Sequence, residues 1–262
     1  MIMMLSCKKN WKKVERSKRV WLDKCGIPYV VLMGDPNIQN SYEYDSGTRV
    51  LTVQCPDDYE SLSWKVYLGY KTLYMLFRPT GILKVDDDVL VRINRIQEFS
   101  RVPSKPSYIG SVATFVGYMS NYHKSKVYDD ELSNKLVYVP NVKYCNGAMY
   151  YIDAEAIRCL MKNMNPDDHI YEDVLVGKTL NACNIYPVQF PWITNHLTVF
   201  LMNTEYIAYH DVNSSYNFSY LIASFNMNRS ITEWFFMGLL FYIAILLILT
   251  LLFFHRNRII YP

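Results

Sequence analysis

Residues 83–91 read LKVDDDVLV, two apolar runs enclosing Asp86, Asp87 and Asp88. A buried, unpaired carboxylate is costly. The triplet therefore cannot lie in the middle of a strand that crosses a core. The conflict disappears if the strand stops at Asp86 and delivers its acids to a rim. In open α/β sheets ligands bind just beyond the carboxyl ends of strands, so the stretch predicts such a sheet with a crevice at that end. Carboxylates crowded there need a cation, and oxygen ligands suit a hard divalent ion such as Mg²⁺ or Mn²⁺. Such ions clamp phosphates and neutralise charge on a leaving group. Acidic triplets also occur as solvated loops and helix starts. The place immediately after a strand-like run favours the site.

The flanking pattern agrees with an α/β fold. IMMLS is a short apolar run, and Trp11, Val14, Trp21 and Leu22 fall on one helical face. IPYVVLMGD, residues 27–35, reads as a buried strand ending in Gly-Asp-Pro turn chemistry. Strand–helix–strand order suggests a parallel unit. TRVLTVQ is a further strand. Tyr59, Leu62, Val66, Tyr70, Leu73 and Phe77 then recur at helical spacing, with Asp57 and Glu60 resembling a capping box. Arg78-Pro79-Thr80-Gly81 ends that helix, and ILKV leads into the triplet. The opening helix carries Lys12, Lys13, Arg16, Lys18 and Arg19. Most of these charges read as a solvated face, with Arg16 or Arg19 the candidates to meet a diphosphate.

Two later stretches complete the chemistry. Tyr144-Cys145-Asn146-Gly147-Ala148 reads as a small-residue turn where a ligand or backbone can come close. MYYI follows as a strand, and Asp153 caps a helix with Ile157, Leu160, Met161 and Met164 on its apolar face. Further on, Glu172 and Asp173 open another helix, where the dipole favours carboxylates. That placement is sufficient as electrostatics alone. It also suits a general base, which must be ionised and within reach of an acceptor hydroxyl.

The 262 residues suffice for one large domain or two small ones, and the net charge of +3 is too weak to imply nucleic acid. Six cysteines match no zinc spacing; an even count permits bridges without implying them. Trp234–Phe254 runs about 21 residues without a charge, and about 20 are needed to cross a bilayer. The expected organisation is a domain over 1–212, a linker over 213–233, a membrane helix over 234–254 and a short basic tail over 255–262. Orientation stays open. Arg256 and Arg258 favour a cytosolic tail, whereas no leader directs the domain across; N-x-S sites at Asn213, Asn217 and Asn228 would be glycosylated only on the lumenal side.

In order, YESLSWKVYLGYKTL, LKVDDDVLV, YCNGAMYYID and YEDVLVGKTL resemble glycosyltransferase family 31 over roughly residues 55–190. This is the β1,3-galactosyltransferase, β1,3-N-acetylglucosaminyltransferase and Fringe-like group. The resemblance implies a GT-A fold, a Rossmann-like mixed sheet flanked by helices that binds a nucleotide-sugar; here one C-terminal transmembrane helix is added. It implies Mn²⁺ or Mg²⁺, a UDP-sugar donor, a glycan or glycoprotein acceptor, and inversion at the anomeric centre. By resemblance Asp86, Asp87 and Asp88 form the metal and donor site, with Asp88 the direct ligand and Lys84 preceding it in the strand. Asp173 is the base, with Glu172 beside it, and Gly147 belongs to the loop near donor and acceptor. A late histidine on the metal corresponds to His210, with His196 second. The chain departs from the family at Ala148 and Met149, where a run of glycines is usual, and in its C-terminal rather than N-terminal span.

The expected function is metal-dependent inverting transfer of a hexose or N-acetylhexosamine from a UDP-sugar to a glycan or glycoconjugate hydroxyl. Tyr144, Tyr150 and Tyr151 suit two roles equally, walling the site against water or filling the core. The alternative is a catalytically inactive, membrane-anchored protein that binds a glycan or nucleotide. A metal-dependent nucleotidyl or phosphoryl transferase also wants clustered acids, and would release pyrophosphate rather than UDP. Nucleic-acid binding is disfavoured, because the basic charge sits in one short helix.

Overall fold

The structure, a computed structural model, describes residues 1–114, 116–190, 193–194, 203, 205–210, 238–243 and 245. His196, the three N-x-S asparagines and most of the Trp234–Phe254 run lie outside the described residues. Among the described residues no helix is long and apolar enough to cross a membrane. Residues 238–243 and 245 of that run are helical and exposed.

In chain order the elements are β1 (Ile2–Leu5), α1 (Trp11–Val20), β2 (Tyr29–Gly34), β3 (Tyr42–Asp45), β4 (Val50–Val53), α2 (Leu62–Phe77) and β5 (Gly81–Asp86). Then come β6 (Leu90–Val91), α3 (Ile93–Arg101), β7 (Tyr108–Thr114), β8 (Tyr118–Ser120), α4 (Asp130–Asn134) and β9 (Val137–Val139). The last are β10 (Lys143–Asp153), α5 (Ala154–Asn163), α6 (Glu172–Ala182), β11 (Val188–Gln189), β12 (Ile193–Thr194) and β13 (Ala208–Tyr209). One eight-stranded mixed sheet, ordered β11-β7-β10-β5-β1-β2-β4-β3, forms the spine. β5, β1, β2 and β4 are mutually parallel, while β10 runs antiparallel to β5. The carboxyl ends of β5, β1 and β2 therefore share one edge, and β10 starts there.

Helices cover both faces because the central strands are apolar on both. Val14, Val20 and Ile96, from α1 and α3, pack with Met4, Leu83 and Val85 on one side. On the other, α2, α5 and α6 bring Val66, Tyr70, Ile157, Leu160 and Val176 against Met3, Ile82 and Tyr150. Each fully buried aliphatic side chain in these layers contributes roughly 1.5–3 kcal/mol. Strand alternation decides what reaches the edge. Leu83 and Val85 face the α1 side, so Lys84 and Asp86 face the α6 side, opposite Tyr150.

Two local expectations are corrected, and one left open is settled. The Tyr144–Ala148 stretch is not a separate turn but part of β10, whose pairing to β7 shifts between Cys145 and Tyr150. That bulge lifts Gly147 out of the ladder toward α6. Asp57 and Glu60 do not form a capping box. Asp57 accepts from Gly34 N–H and the Lys65 ammonium, and Asp58 accepts from Ser61 N–H. Glu60 instead accepts from the backbone N–H groups of Tyr128 and Asp129. Cys159 and Cys183 form a disulfide between α5 and the end of α6; Cys7, Cys25, Cys55 and Cys145 are free.

Candidate active site

β5 ends on Asp86, and the triplet turns away from the sheet at its ligand-binding edge. The three acids differ sharply. Asp87 is buried; it accepts from Ser6 Oγ at 2.7 Å and faces Lys13 Nζ at 3.5 Å. It ties the ends of β1 and α1 to the triplet. Asp86 and Asp88 open into the cleft. With His210 they form a cluster whose ligand atoms lie within 4.8 Å of one another. His210 arrives because β13 pairs antiparallel with β6, setting Tyr209 opposite Leu90 and the next residue beside the triplet. Its Nε2 stands 3.5 Å from Asp88 Oδ1, a buried oxygen that has no conventional hydrogen-bond donor. Two carboxylates and an imidazole, with one orphaned oxygen, are a donor set that fits Mn²⁺ or Mg²⁺.

The second constellation grows from α6. Gly177 lets that helix press on β10, since a Cβ there would lie 2.3 Å from Tyr144 Cβ. The close approach brings the first turn of α6 to the bulge. A Cβ on Gly147 would stand 3.2 Å from both Asp173 Oδ2 and Glu172 Oε1, so this position leaves little room for any side chain. Gly147 N–H donates to Asp173 Oδ2 at 3.0 Å, and Val174 N–H to Asp173 Oδ1 at 2.9 Å. Asp173 is half-buried and lines the cleft. Glu172 also borders the cleft, but it is buried. Its oxygens are engaged by Lys84 at 2.8 Å and by the Tyr150 hydroxyl at 3.1 Å. The two adjacent acids, both read as catalytic candidates, thus sit in different environments.

Lys84 does not reach out to a donor. Its buried ammonium donates to Asp86 Oδ1 at 2.6 Å and to the Gly147 carbonyl, and it pairs with Glu172. Burial works against that charge, but Asp86 and Glu172 outweigh it and hold Lys84 above its ordinary value. Burial, opposed by Lys84 and reinforced by Asp88, pushes Asp86 up to about 7. Burial also raises Asp173 and Glu172, with Lys84 opposing in both. For Asp88 burial is outweighed by His210, which holds it below the usual carboxylate range.

Two cavities meet at the triplet. One, of about 530 Å³, is lined by Lys9, Lys13, Lys65 and Lys126 together with the three acids. The other, of about 670 Å³, holds Asp173, Gly147, His210 and five tyrosines: Tyr59, Tyr118, Tyr122, Tyr144 and Tyr171. Arg16 and Arg19 line neither; Arg19 is exposed on the outer face of α1, and Lys9 and Lys13 take the expected place beside the triplet. Of the three tyrosines left between wall and core, Tyr144 walls the site. Tyr150 is buried beneath it, and Tyr151 faces a small cavity at the opposite edge of the sheet. Ala148, in place of glycine, is accommodated in the bulge and the cavity stays open.

Sequence reasoning missed Lys65, Lys126, Tyr171 and His123. His123 is fully buried, with Nε2 2.9 Å from the Leu132 carbonyl and Nδ1 2.8 Å from the Tyr171 hydroxyl. A carbonyl only accepts, so Nε2 carries a proton and donates to it; the Tyr171 hydroxyl donates to Ser120 Oγ at 2.9 Å. This pair fastens the 120–132 segment to the residue before Glu172. Its one sequence signal was a tyrosine at the start of YEDV.

A family model described as Galactosyltransferase matches residues 38–191, more than half of the chain. No curated protein matches. Among solved structures, a glycosyltransferase involved in glycosylation of the major capsid of PBCV-1 is similar at 12% identity, over 86% of this chain and 99% of that one, with a TM-score of 0.44. The galactosyltransferase LgtC, in complex with donor and acceptor sugar analogs, is similar at 12% identity, over 81% of this chain and 87% of that one, also with a TM-score of 0.44.

Proposed function

The chain belongs to the galactosyltransferase family, and on that premise we propose that it transfers a hexose or N-acetylhexosamine from a UDP-sugar to a glycan or glycoconjugate hydroxyl. The transfer is of the β1,3 type, with inversion. The observation that carries this reading is the meeting of Asp86, Asp88 and His210 with Asp173 in one open cavity. The lysine-lined cavity takes the nucleoside diphosphate, whose negative charge suits Lys9, Lys13 and Lys126. Asp86, Asp88 and His210 would hold the divalent cation. When bound, that ion neutralises charge on the departing diphosphate. Asp173 accepts the proton of the attacking hydroxyl; its Gly147 bond fixes one oxygen and keeps the carboxylate aimed into the cleft. Glu172, buried, paired with Lys84 and accepting from Tyr150, holds the start of α6 in place, and the base role falls to Asp173. The tyrosines wall the acceptor side and exclude water that would otherwise hydrolyse the donor. The Trp234–Phe254 run holds the domain at a bilayer.

A panel of UDP-sugars assayed with a glycan acceptor and Mn²⁺ tests the reading. It predicts Mn²⁺-dependent release of UDP with one donor sugar, and a product inverted at the anomeric carbon. Binding of UDP-sugar with no release of UDP under any acceptor would remove catalysis and leave a binding protein. Release of pyrophosphate would make the chain a nucleotidyltransferase.

A further inference from the structure

We infer that Lys84 is a positioning residue that couples the cation-binding carboxylates to the base, through a buried relay running Asp86–Lys84–Gly147–Asp173. This rests on the site assignment made above and adds a link between its two halves. An ammonium has three N–H donors. Lys84, only 1% exposed, donates to Asp86 Oδ1 and to the Gly147 carbonyl and forms an ion pair with Glu172 Oε1 at 2.8 Å. Lys84 sits at the floor of the cleft, enclosed by these three partners, and acts on the site through them.

The three partners come from three different elements. Asp86 ends β5, Glu172 begins α6, and Gly147 sits in the bulge of β10. Lys84 thus joins the strand that supplies the cation ligands to the helix that supplies the base. Gly147 extends the link: its carbonyl accepts from Lys84 while its N–H donates to Asp173 Oδ2. One peptide unit on either side of that residue therefore senses both Lys84 and the base. A charged hydrogen bond in a low-dielectric setting is strong and directional. With a cation held at Asp86, Lys84 would share that carboxylate with it, lean more on Glu172 and Gly147, and so reorient Asp173.

The same geometry explains why both members of the Glu-Asp pair are needed at the start of α6. Glu172 anchors the ammonium from the far side, and Tyr150 holds Glu172, with Tyr70 donating in turn to Tyr150 at 2.9 Å. The relay is braced from the core side and opens to the cleft at its two ends, Asp86 and Asp173.

Hydrogen–deuterium exchange on the full chain, with and without Mn²⁺, tests the coupling without relying on turnover. In the wild type, Mn²⁺ should slow exchange in peptides covering residues 83–91, where it binds, and also in those covering 143–150 and 171–176, by about threefold or more. Lys84→Met should confine the response to 83–91. Should that variant fail to fold, Lys84→Arg provides the second arm. Its charge is kept, but a planar fork cannot send three donors from one nitrogen. It should bind Mn²⁺ normally, lose the remote response and lower kcat on the order of 100-fold, the scale of a misplaced catalytic group. A remote response in either folded variant equal to that of the wild type overturns the inference, as does the lack of any remote response in the wild type. A wild-type chain that shows the remote response yet transfers no sugar supports the relay while defeating the catalytic reading.

Discussion

The two cavities that meet at the acidic triplet are built on opposite principles. The one assigned to the donor is lined by lysines and carboxylates; the one assigned to the acceptor is walled by tyrosines. Charge acts over roughly a Debye length and weakens as salt rises. Aromatic faces act only at contact and depend on fit. On the proposed reading, the donor would be recruited chiefly by electrostatics and the acceptor sorted chiefly by fit. Asp86 and Asp88 stand at the seam, since both cavities are lined by them. The lysines are also not equivalent. Lys65 is buried and occupied by Asp57, and Lys13 leans on Asp87. Lys126 lies over the rings of Tyr122 and Tyr59, with its Nζ 3.5 Å from the first centroid. It belongs to both cavities and is the natural place for one half to sense the other.

The largest break in this contrast comes from the base. Asp173→Asn should lower kcat by about 10²–10⁴-fold, the usual contribution of a general base, and leave the Kd for UDP-sugar within about twofold. Steady-state kinetics with calorimetry checks both numbers. Turnover at wild-type rate would strip Asp173 of its role.

Next is pH. Asp173 must be ionised to accept a proton, and Asp86 must be ionised to hold a cation. Burial raises both, Asp86 to about 7. A raised carboxyl is protonated at higher pH than a free one, so the loss on acidification begins near neutrality and not near 4. Below that limb, kcat/KM should fall about tenfold per pH unit, and Mn²⁺ affinity should fall with it because proton and metal compete. A flat profile down to pH 5 would contradict the burial of these groups.

Lys13→Ala, on the donor side, should weaken UDP-sugar binding about tenfold at low salt, the scale of one charged hydrogen bond. The difference should shrink in concentrated salt. The smallest effect belongs to the acceptor wall. Tyr122→Ala should raise the acceptor KM about threefold, independently of salt, with the Kd for UDP-sugar unchanged. If the tyrosine variant instead impaired donor binding and the lysine variant acceptor binding, the two cavities would have to exchange roles.

Much of this was legible in the chain. β5 and its acids were visible because an apolar strand and three carboxylates cannot share a core, so the strand had to end at Asp86. Glu172 and Asp173 were visible as a helix start. What separates them was not. Glu172 is buried because Lys84 and Tyr150 meet it, and both are set by strand alternation and a bulge that no local pattern announces. Arg16 and Arg19 were favoured on charge alone, and charge does not say which face of a helix looks at the cleft. The stretch from Arg92 to Val139 carried no clear signal. It supplies Lys126, His123 and two tyrosines of the wall through long-range contacts such as His123 to Tyr171. Tyr151 was undecided between wall and core, and alternation decides it: its neighbour Tyr150 faces the α6 side, so Tyr151 packs on the other.

The central claim is that the triplet, with His210, holds a divalent cation on which donor binding depends. Titration of UDP into the full chain by calorimetry, with Mn²⁺ and then with excess chelator, tests it directly, with Asp88→Ala alongside. The expected result is binding that requires Mn²⁺ in the wild type and is lost in Asp88→Ala. Equal UDP affinity with and without metal, or full Mn²⁺-dependent affinity in Asp88→Ala, would contradict it.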